Sequence, residues 1–279
     1  MTTDMKEGRG SHADSLGNQA VVRPGGIQWL RCGSGIEHAE GGGNPEGANQ
    51  HGFQIWINLP QRKKMATPSY GTIQPEHIFE QAGEGGGVSR FVGGVGSEAF
   101  APDLREDFQI VDCELPGPNA THRHELPGST AQRVLVYCYQ GAGTVGGTAM
   151  KPQQTAVMTL AGDDKEVGGG TAAAAAHRRG AEASLTGVSA GEPAALEMIA
   201  TSPDGFGVII FAGAPIDEPI SWRGPIVMGT SKEIDTAWSE LQQGGFYKKR
   251  ADGDWRAMAE RSDVPYTTLK VPKTPALPQ

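Results

Sequence analysis

The 279-residue chain has few cysteines, few aromatic residues, little positive charge and no long apolar run, and each shortage excludes something. Its three cysteines, Cys32, Cys113 and Cys138, are odd in number and widely spaced, with no CxxC pair among them. That rules out a disulfide scaffold or a zinc ribbon and predicts reduced, buried thiols in a cytoplasmic or nuclear protein. No stretch of about eighteen apolar residues occurs, so no membrane helix is expected, and residues 1–10 carry no apolar leader segment. Lysine and arginine number 24 against 32 acidic residues, a net charge of -8. With a pI near 5.4, direct nucleic-acid binding is disfavoured, because it needs a basic face. The short basic runs Arg62-Lys63-Lys64 and Lys248-Lys249-Arg250 read as solvated surface. Glycine (41) and proline (19) are plentiful instead, together more than a fifth of the chain. Frequent turns between short β-patterned runs predict an all-β protein of barrels or sandwiches.

Along the chain, residues 20–30 have strand character with a Pro24-Gly25 turn inside them, and residues 53–59 alternate with the period of two of a sheet strand. Further strands are expected over residues 89–95, 108–115, 134–140, 156–160 and 206–212. An acidic, polar link over 102–107 suggests a domain boundary there. The Ala/Gly-rich segment GGGTAAAAAHRRGAEASLTG and its flanks, about 163–204, read as a disordered surface insertion. Thr230-Ser231-Lys232-Glu233 has the form of a capping box, and Ile234, Ala237, Trp238 and Leu241 fall on one helical face before Gly244-Gly245. A C-terminal helix is therefore predicted, followed by a proline-rich extended tail after residue 263.

The chemistry-bearing residues are sparse. His38 and Glu40 stand two apart after the turn Gly33-Ser34-Gly35, so on a strand both project to one side. Nitrogen and oxygen donors of this kind suit a first-row metal, and the pair supplies half of such a site. His12 and Asp14 share that spacing but read as a solvated strand. His122-Arg123-His124 is the sole HxH of the sequence and reads as a polar strand entrance, with a rival metal pair as the lesser alternative. His51, His77 and His177 are isolated and receive no role. The Gly83-Glu84-Gly85-Gly86-Gly87 run lacks the strand-turn-helix context of a dinucleotide loop and is rejected as one.

Four segments carry a family resemblance. They are HADSLGNQAVVRPGGIQW, IQWLRCGSGIEHAE, HGFQIWINLP and PISWRGPIVMGTSKEIDTAW, and they occur in this order between His12 and about residue 246. Together they resemble the pirins. The resemblance implies two tandem cupin-type antiparallel β-barrels, over residues 1–101 and 102–229, and a C-terminal helix and tail over 230–279. It also implies a metal in the first barrel, Fe2+ or another divalent first-row ion, held by three His and one Glu. His38 and Glu40 match the third and fourth ligands, whereas His12 matches a position that is not a ligand. Pirins carry the other two histidines in an upstream HxHRGF block, and residues 1–11 contain no histidine. The expectation is a first barrel that is N-terminally truncated, through a reading frame that begins upstream of Met1, and a metal site left incomplete in this chain.

The implied activity is of the quercetin 2,3-dioxygenase type, cleaving a flavonol with dioxygen. Glu40 would be metal ligand and catalytic proton acceptor, and His38 a neutral ligand; with half the ligands absent the activity is expected to be impaired. The alternatives are a non-enzymatic nuclear module that binds a protein partner such as a transcription regulator, or a degenerate truncated pirin. No nucleic acid and no membrane are expected as partners, and the chain is expected to be a monomer.

Overall fold

The structure is a computed structural model and describes residues 1–42, 49–97, 108–127, 133–160, 182–185 and 194–248. It is β-rich throughout. The first seven strands are β1 (Thr2–Glu7), β2 (Gly10–Asp14), β3 (Gln19–Val22), β4 (Ile27–Arg31), β5 (His38–Gly42), β6 (His51–Ile55) and β7 (Ser69–Ile73), with a one-turn helix α1 (Gln61–Lys64) before β7. Next come β8 (Glu80–Ala82), β9 (Val88–Gly94), β10 (Phe108–Leu115), β11 (Thr121–Glu125), β12 (Arg133–Gly141), β13 (Gly143–Val145), β14 (Thr148–Met150) and β15 (Thr155–Leu160). The last strands are β16 (Glu182–Leu185), β17 (Ala195–Ala200), β18 (Phe206–Gly213), β19 (Ser221–Arg223) and β20 (Ile226–Met228), and the chain then enters helix α2 (Ser231–Gln243). No helix of the described residues is long and apolar enough to cross a membrane.

These elements form two compact units, residues 1–77 with 216–279, and residues 78–215. In the first unit a four-stranded sheet of order β6-β1-β4-β7 accompanies a three-stranded sheet of order β3-β2-β5. In the second a seven-stranded sheet of order β16-β15-β12-β18-β10-β9-β8 accompanies a four-stranded sheet of order β11-β17-β13-β14. All their pairings are antiparallel except the one between β15 and β16. Pairing thus draws the division at residue 78 rather than at 102, because β8 and β9 bond to β10. The acidic link at 102–107 lies outside the described residues.

The second unit owes its core to alternation. In β12, Val134, Val136 and Cys138 are fully buried while Leu135 is 40% exposed. They meet Val208 and Ile210 of β18 and Met158 of β15 in one apolar cluster, and each such side chain contributes roughly 1.5–3 kcal/mol by burial. Leu196, Met198 and Ala200 of β17 belong to the same cluster. Residues 195–200 are therefore a core strand, which corrects their assignment to the low-complexity insertion; residues 161–181 and 186–193 lie outside the described residues. Of the cysteines, Cys113 and Cys138 are buried as expected, but Cys32 is exposed.

Helix α2 forms as its sequence predicts. Glu233 N donates to Thr230 Oγ1 at 3.3 Å and Thr230 N donates to Glu233 Oε2 at 2.9 Å, completing the capping box. Gly244 closes the helix at φ 78°, and Ile234 is the residue it buries. The helix packs on the β19–β20 hairpin. The tail beyond residue 248 lies outside the described residues.

Candidate metal centre

The β2–β5 pairing builds the centre. Its register sets His12 opposite Glu40 and Asp14 opposite His38, so two i, i+2 pairs meet across one ladder. The turn that delivers β5 depends on Gly33, held at φ 51°, where a Cβ would fall 2.0 Å from the Ala66 carbonyl oxygen. One donor atom each from His12, His38 and Glu40 lie within 4.8 Å of one another. His12 Nδ1 is 3.9 Å and His38 Nδ1 3.6 Å from Glu40 Oε1.

The surroundings orient each donor. His12 Nε2 bonds to Asp14 Oδ2 at 3.0 Å. Asp14 is itself fixed by Asn18, whose Nδ2 donates at 2.8 Å to Oδ2 and 3.0 Å to Oδ1. A carboxylate accepting at Nε2 places the ring hydrogen there and leaves the Nδ1 lone pair facing Glu40. Tyr70 stacks on the His12 ring, with centroids 4.0 Å apart and planes 7° from parallel. Its hydroxyl donates to Gln28 Oε1 at 3.0 Å. Gln28 Nε2 in turn donates to Glu40 Oε1 at 2.5 Å, and Gln54 Nε2 donates to Glu40 Oε2 at 2.7 Å. Both carboxylate oxygens are thus held from outside the cluster.

Charge follows from this geometry. Burial alone would raise the Glu40 pKa, but the His12 and His38 imidazoles beside it hold it down at about 2. Burial would lower His12, yet Asp14 and Glu40 outweigh it and raise the imidazole above its ordinary value. His12 Nδ1 and His38 Nδ1 are buried and have no hydrogen-bond partner. Both nitrogens face one ionised carboxylate oxygen from beyond hydrogen-bond distance, which leaves a position for a cation among the three. Two imidazoles and a carboxylate on one side also make the donor set of non-haem iron(II) oxygenases. These residues fit a divalent metal.

His12 is 0% exposed, which corrects its reading as part of a solvated strand. It brings the donors to three, where sequence spacing offers His38 and Glu40 alone. The signal that would find it is the repeated i, i+2 spacing of His12-Asp14 and His38-Glu40, once the two strands are paired. His122 and His124 lie in the second compact unit at 3% and 1% exposure, so they form no polar entrance. Tyr70 carries no local motif of its own.

The chain has relatives among known proteins. The family model described as Pirin matches residues 1–57, and the one described as Pirin C-terminal cupin domain matches residues 167–247. A Pseudomonas aeruginosa protein named "Putative quercetin 2,3-dioxygenase" is 34% identical over 251 residues, spanning 87% of this chain and 75% of its own length. A "Pirin-like protein" of Caulobacter vibrioides is 30% identical over 247 residues, spanning 88% of this chain and 76% of its own. Among solved structures, quercetin 2,3-dioxygenase from Acinetobacter baumannii matches with a TM-score of 0.65 at 23% identity, covering 88% of this chain and 75% of its own; that likeness concerns the fold.

Proposed function

Since the chain belongs to the pirin family, with its cupin fold, we propose that His12, His38 and Glu40 hold a divalent first-row metal, iron(II) foremost, and serve dioxygen-dependent cleavage of a flavonol such as quercetin. The observation that carries this reading is the pair of buried, unpartnered Nδ1 atoms facing one carboxylate oxygen. The names borne by the Pseudomonas and Acinetobacter relatives supply the substrate class. When bound, the metal contributes a Lewis acid and a template for the flavonol oxygens and dioxygen.

The protein's own groups do the rest. Asp14 holds the His12 ring through Nε2 so that Nδ1 stays free to coordinate. Gln28 fixes Glu40 Oε1 for coordination, and Tyr70 fixes both Gln28 and the ring plane of His12. Glu40 Oε2, bonded to Gln54, is the oxygen placed to take the proton of a flavonol hydroxyl. A carboxyl held at about 2 is a weak base, so coordination is the main role of Glu40 and proton acceptance the lesser one.

The test is to load the purified chain with Fe(II) without oxygen, measure bound iron, admit oxygen and follow loss of the quercetin absorbance. Near-stoichiometric iron and turnover that both vanish in His38→Ala are expected. Iron bound equally well by the variant, or no turnover at full loading, would refute the assignment.

A second reading rests on a different surface of the first unit. Trp56 and Trp222 are 50% and 67% exposed with ring centroids 5.9 Å apart, and Ile220, two residues before Trp222, is 65% exposed. Such an apolar patch suits a protein partner, in line with the family's non-enzymatic alternative. Loss of partner binding in Trp222→Ala with iron content unchanged would support it.

A further inference from the structure

The second compact unit holds a donor cluster that the proposed activity does not use. Cys113 on β10 and His122 and His124 on β11 are 0%, 3% and 1% exposed. One ligand atom of each lies within 4.8 Å of the other two. All three converge on Ser89 of β9, whose Oγ is 3.2 Å from Cys113 Sγ, 2.6 Å from His122 Nε2 and 3.2 Å from His124 Nδ1. His124 Nε2 meets Gln109 Oε1 at 2.9 Å, so its hydrogen lies there and Nδ1 presents a lone pair to the hub. Ser89 Oγ can accept from His122 Nε2 and donate to His124 Nδ1, which leaves the His122 lone pair on Nδ1. The other ring nitrogen of His122, Nδ1, is buried with no hydrogen-bond partner. Leaving a buried polar group unsatisfied costs roughly 1–3 kcal/mol, and the cluster carries that cost beside an apolar core.

We propose that Cys113, His122 and His124 form a second metal site, closed to solvent and selective for copper(I), into which the ion enters as the Ser89 hydroxyl swings aside. Softness is the first reason: thiolate and imidazole together favour copper(I) or zinc over the harder ions suited to a carboxylate site. Coordination number is the second. Structural zinc is almost always four-coordinate, and this cluster offers three donors, a number that copper(I) accepts. Charge is the third: binding as a thiolate gives Cys113 one negative charge to set against the ion.

When copper(I) binds, the Cys113 S–H bond breaks, an S–Cu bond forms and the proton leaves to solvent; no oxidation state changes. The cation and thiolate cancel, and a neutral assembly stays buried. A divalent ion would leave one positive charge beside Phe91, Val111 and Leu126, at a cost of several kcal/mol. Neighbouring Asp112 does not offset it, since it is bonded to Arg90 at 3.1 Å and to Tyr139 at 2.7 Å.

The Gly83–Gly87 run, which is no dinucleotide loop, acquires a role here. It joins exposed β8 to β9 and lies on β11 so closely that a Cβ at Gly83 would fall 2.3 Å from His122 Nδ1. A Cβ at Gly85 would fall 1.9 Å from Thr121 Oγ1. This thin glycine cover is the entry route for the ion.

The test uses the full chain with Cys32→Ser, which removes the exposed thiol, titrated with copper(I) under reductant against the competing chelator bathocuproine disulfonate. One tightly held ion per chain is expected, with affinity lowered by about a hundredfold or more in Cys113→Ser and in His124→Asn. Ser89→Ala should keep affinity within about tenfold, and His12→Ala/His38→Ala should leave it unchanged, separating this site from the first centre. X-ray absorption of the copper form should show one sulfur and two imidazole nitrogens, and it decides the matter alone if a variant fails to fold. Equal binding by Cys113→Ser and His124→Asn, a copper shell without sulfur, or displacement by equimolar zinc(II) would overturn the proposal.

Discussion

In the first compact unit the converging groups are two imidazoles and an ionised carboxylate; in the second they are two imidazoles and a protonated thiol. Both clusters begin from residues two apart on a strand, and both are completed by a residue on another strand. Their neighbours differ. Glu40 and Asp14 sit among amide donors from Gln28, Gln54 and Asn18, which stabilise negative charge. Cys113 and His124 sit in an apolar cluster with one serine and one glutamine, which favours neutral forms. Strand spacing places donors, and the groups around them decide which cation the donors can take.

The sharpest way to break that contrast is to remove the anion from the first cluster. Glu40→Gln keeps the shape of the side chain and deletes its charge. Fe(II) affinity should fall by about a hundredfold or more, with quercetin turnover lost, while copper(I) binding stays as it was. Metal analysis of the two loaded forms checks this, and parallel loss of both ions would mean that the clusters are not independent. Asp14→Asn is the milder intervention. An amide can still accept at Oδ1, but the charge that fixes the His12 ring is gone, and such supporting groups are worth roughly 10–100-fold in metal affinity. If Asp14→Asn binds Fe(II) unchanged, His12 is held by Tyr70 stacking instead.

How far the sequence reveals these features depends on distance along the chain. His38 and Glu40 are legible because two residues of strand put them on one side, and the capping box of Thr230 and Glu233 is legible because its partners are three apart. The ordered pirin segments make the family legible as well. His12 is not, because its place opposite Glu40 depends on a register across 28 residues that no local spacing encodes. Cys113 likewise joins His122 and His124 only across two sheets, β10 lying in the seven-stranded one and β11 in the four-stranded one. Residues 195–200 are hidden by composition: Leu196, Met198 and Ala200 do alternate inward, but they follow a long Ala/Gly-rich stretch.

The cover of the second cluster gives a smaller effect. Gly83→Ala drives a methyl to 2.3 Å from His122 Nδ1 if nothing moves, so the turn or the imidazole must shift. Overpacking of this size costs about 1–3 kcal/mol, read as a lowered urea midpoint. An unchanged midpoint would show that the turn does not rest on the ring.

The smallest effect separates the clusters by pH, measured on the metal-free chain in chelator. His124 has a folded pKa near 4, below the ordinary 6.5, so the unfolded chain takes up its proton first. Its contribution is therefore fully present above about pH 6.5, shrinks as pH falls towards 4 and then levels off. Between pH 7 and 5 the loss amounts to about 2 kcal/mol. His12 has the opposite sign, since its folded pKa is raised: it stabilises most below the unfolded value and loses that contribution as pH rises through its folded pKa. Urea unfolding of the parent chain and of His124→Asn at pH 7 and pH 5 isolates the second cluster, because the His12 contribution is common to both. The parent should lose about 2 kcal/mol more than the variant over that interval. Equal losses would mean that His124 is charged in the folded chain, and a charged imidazole beside Ser89 and Cys113 would repel the very cation the cluster is built to hold.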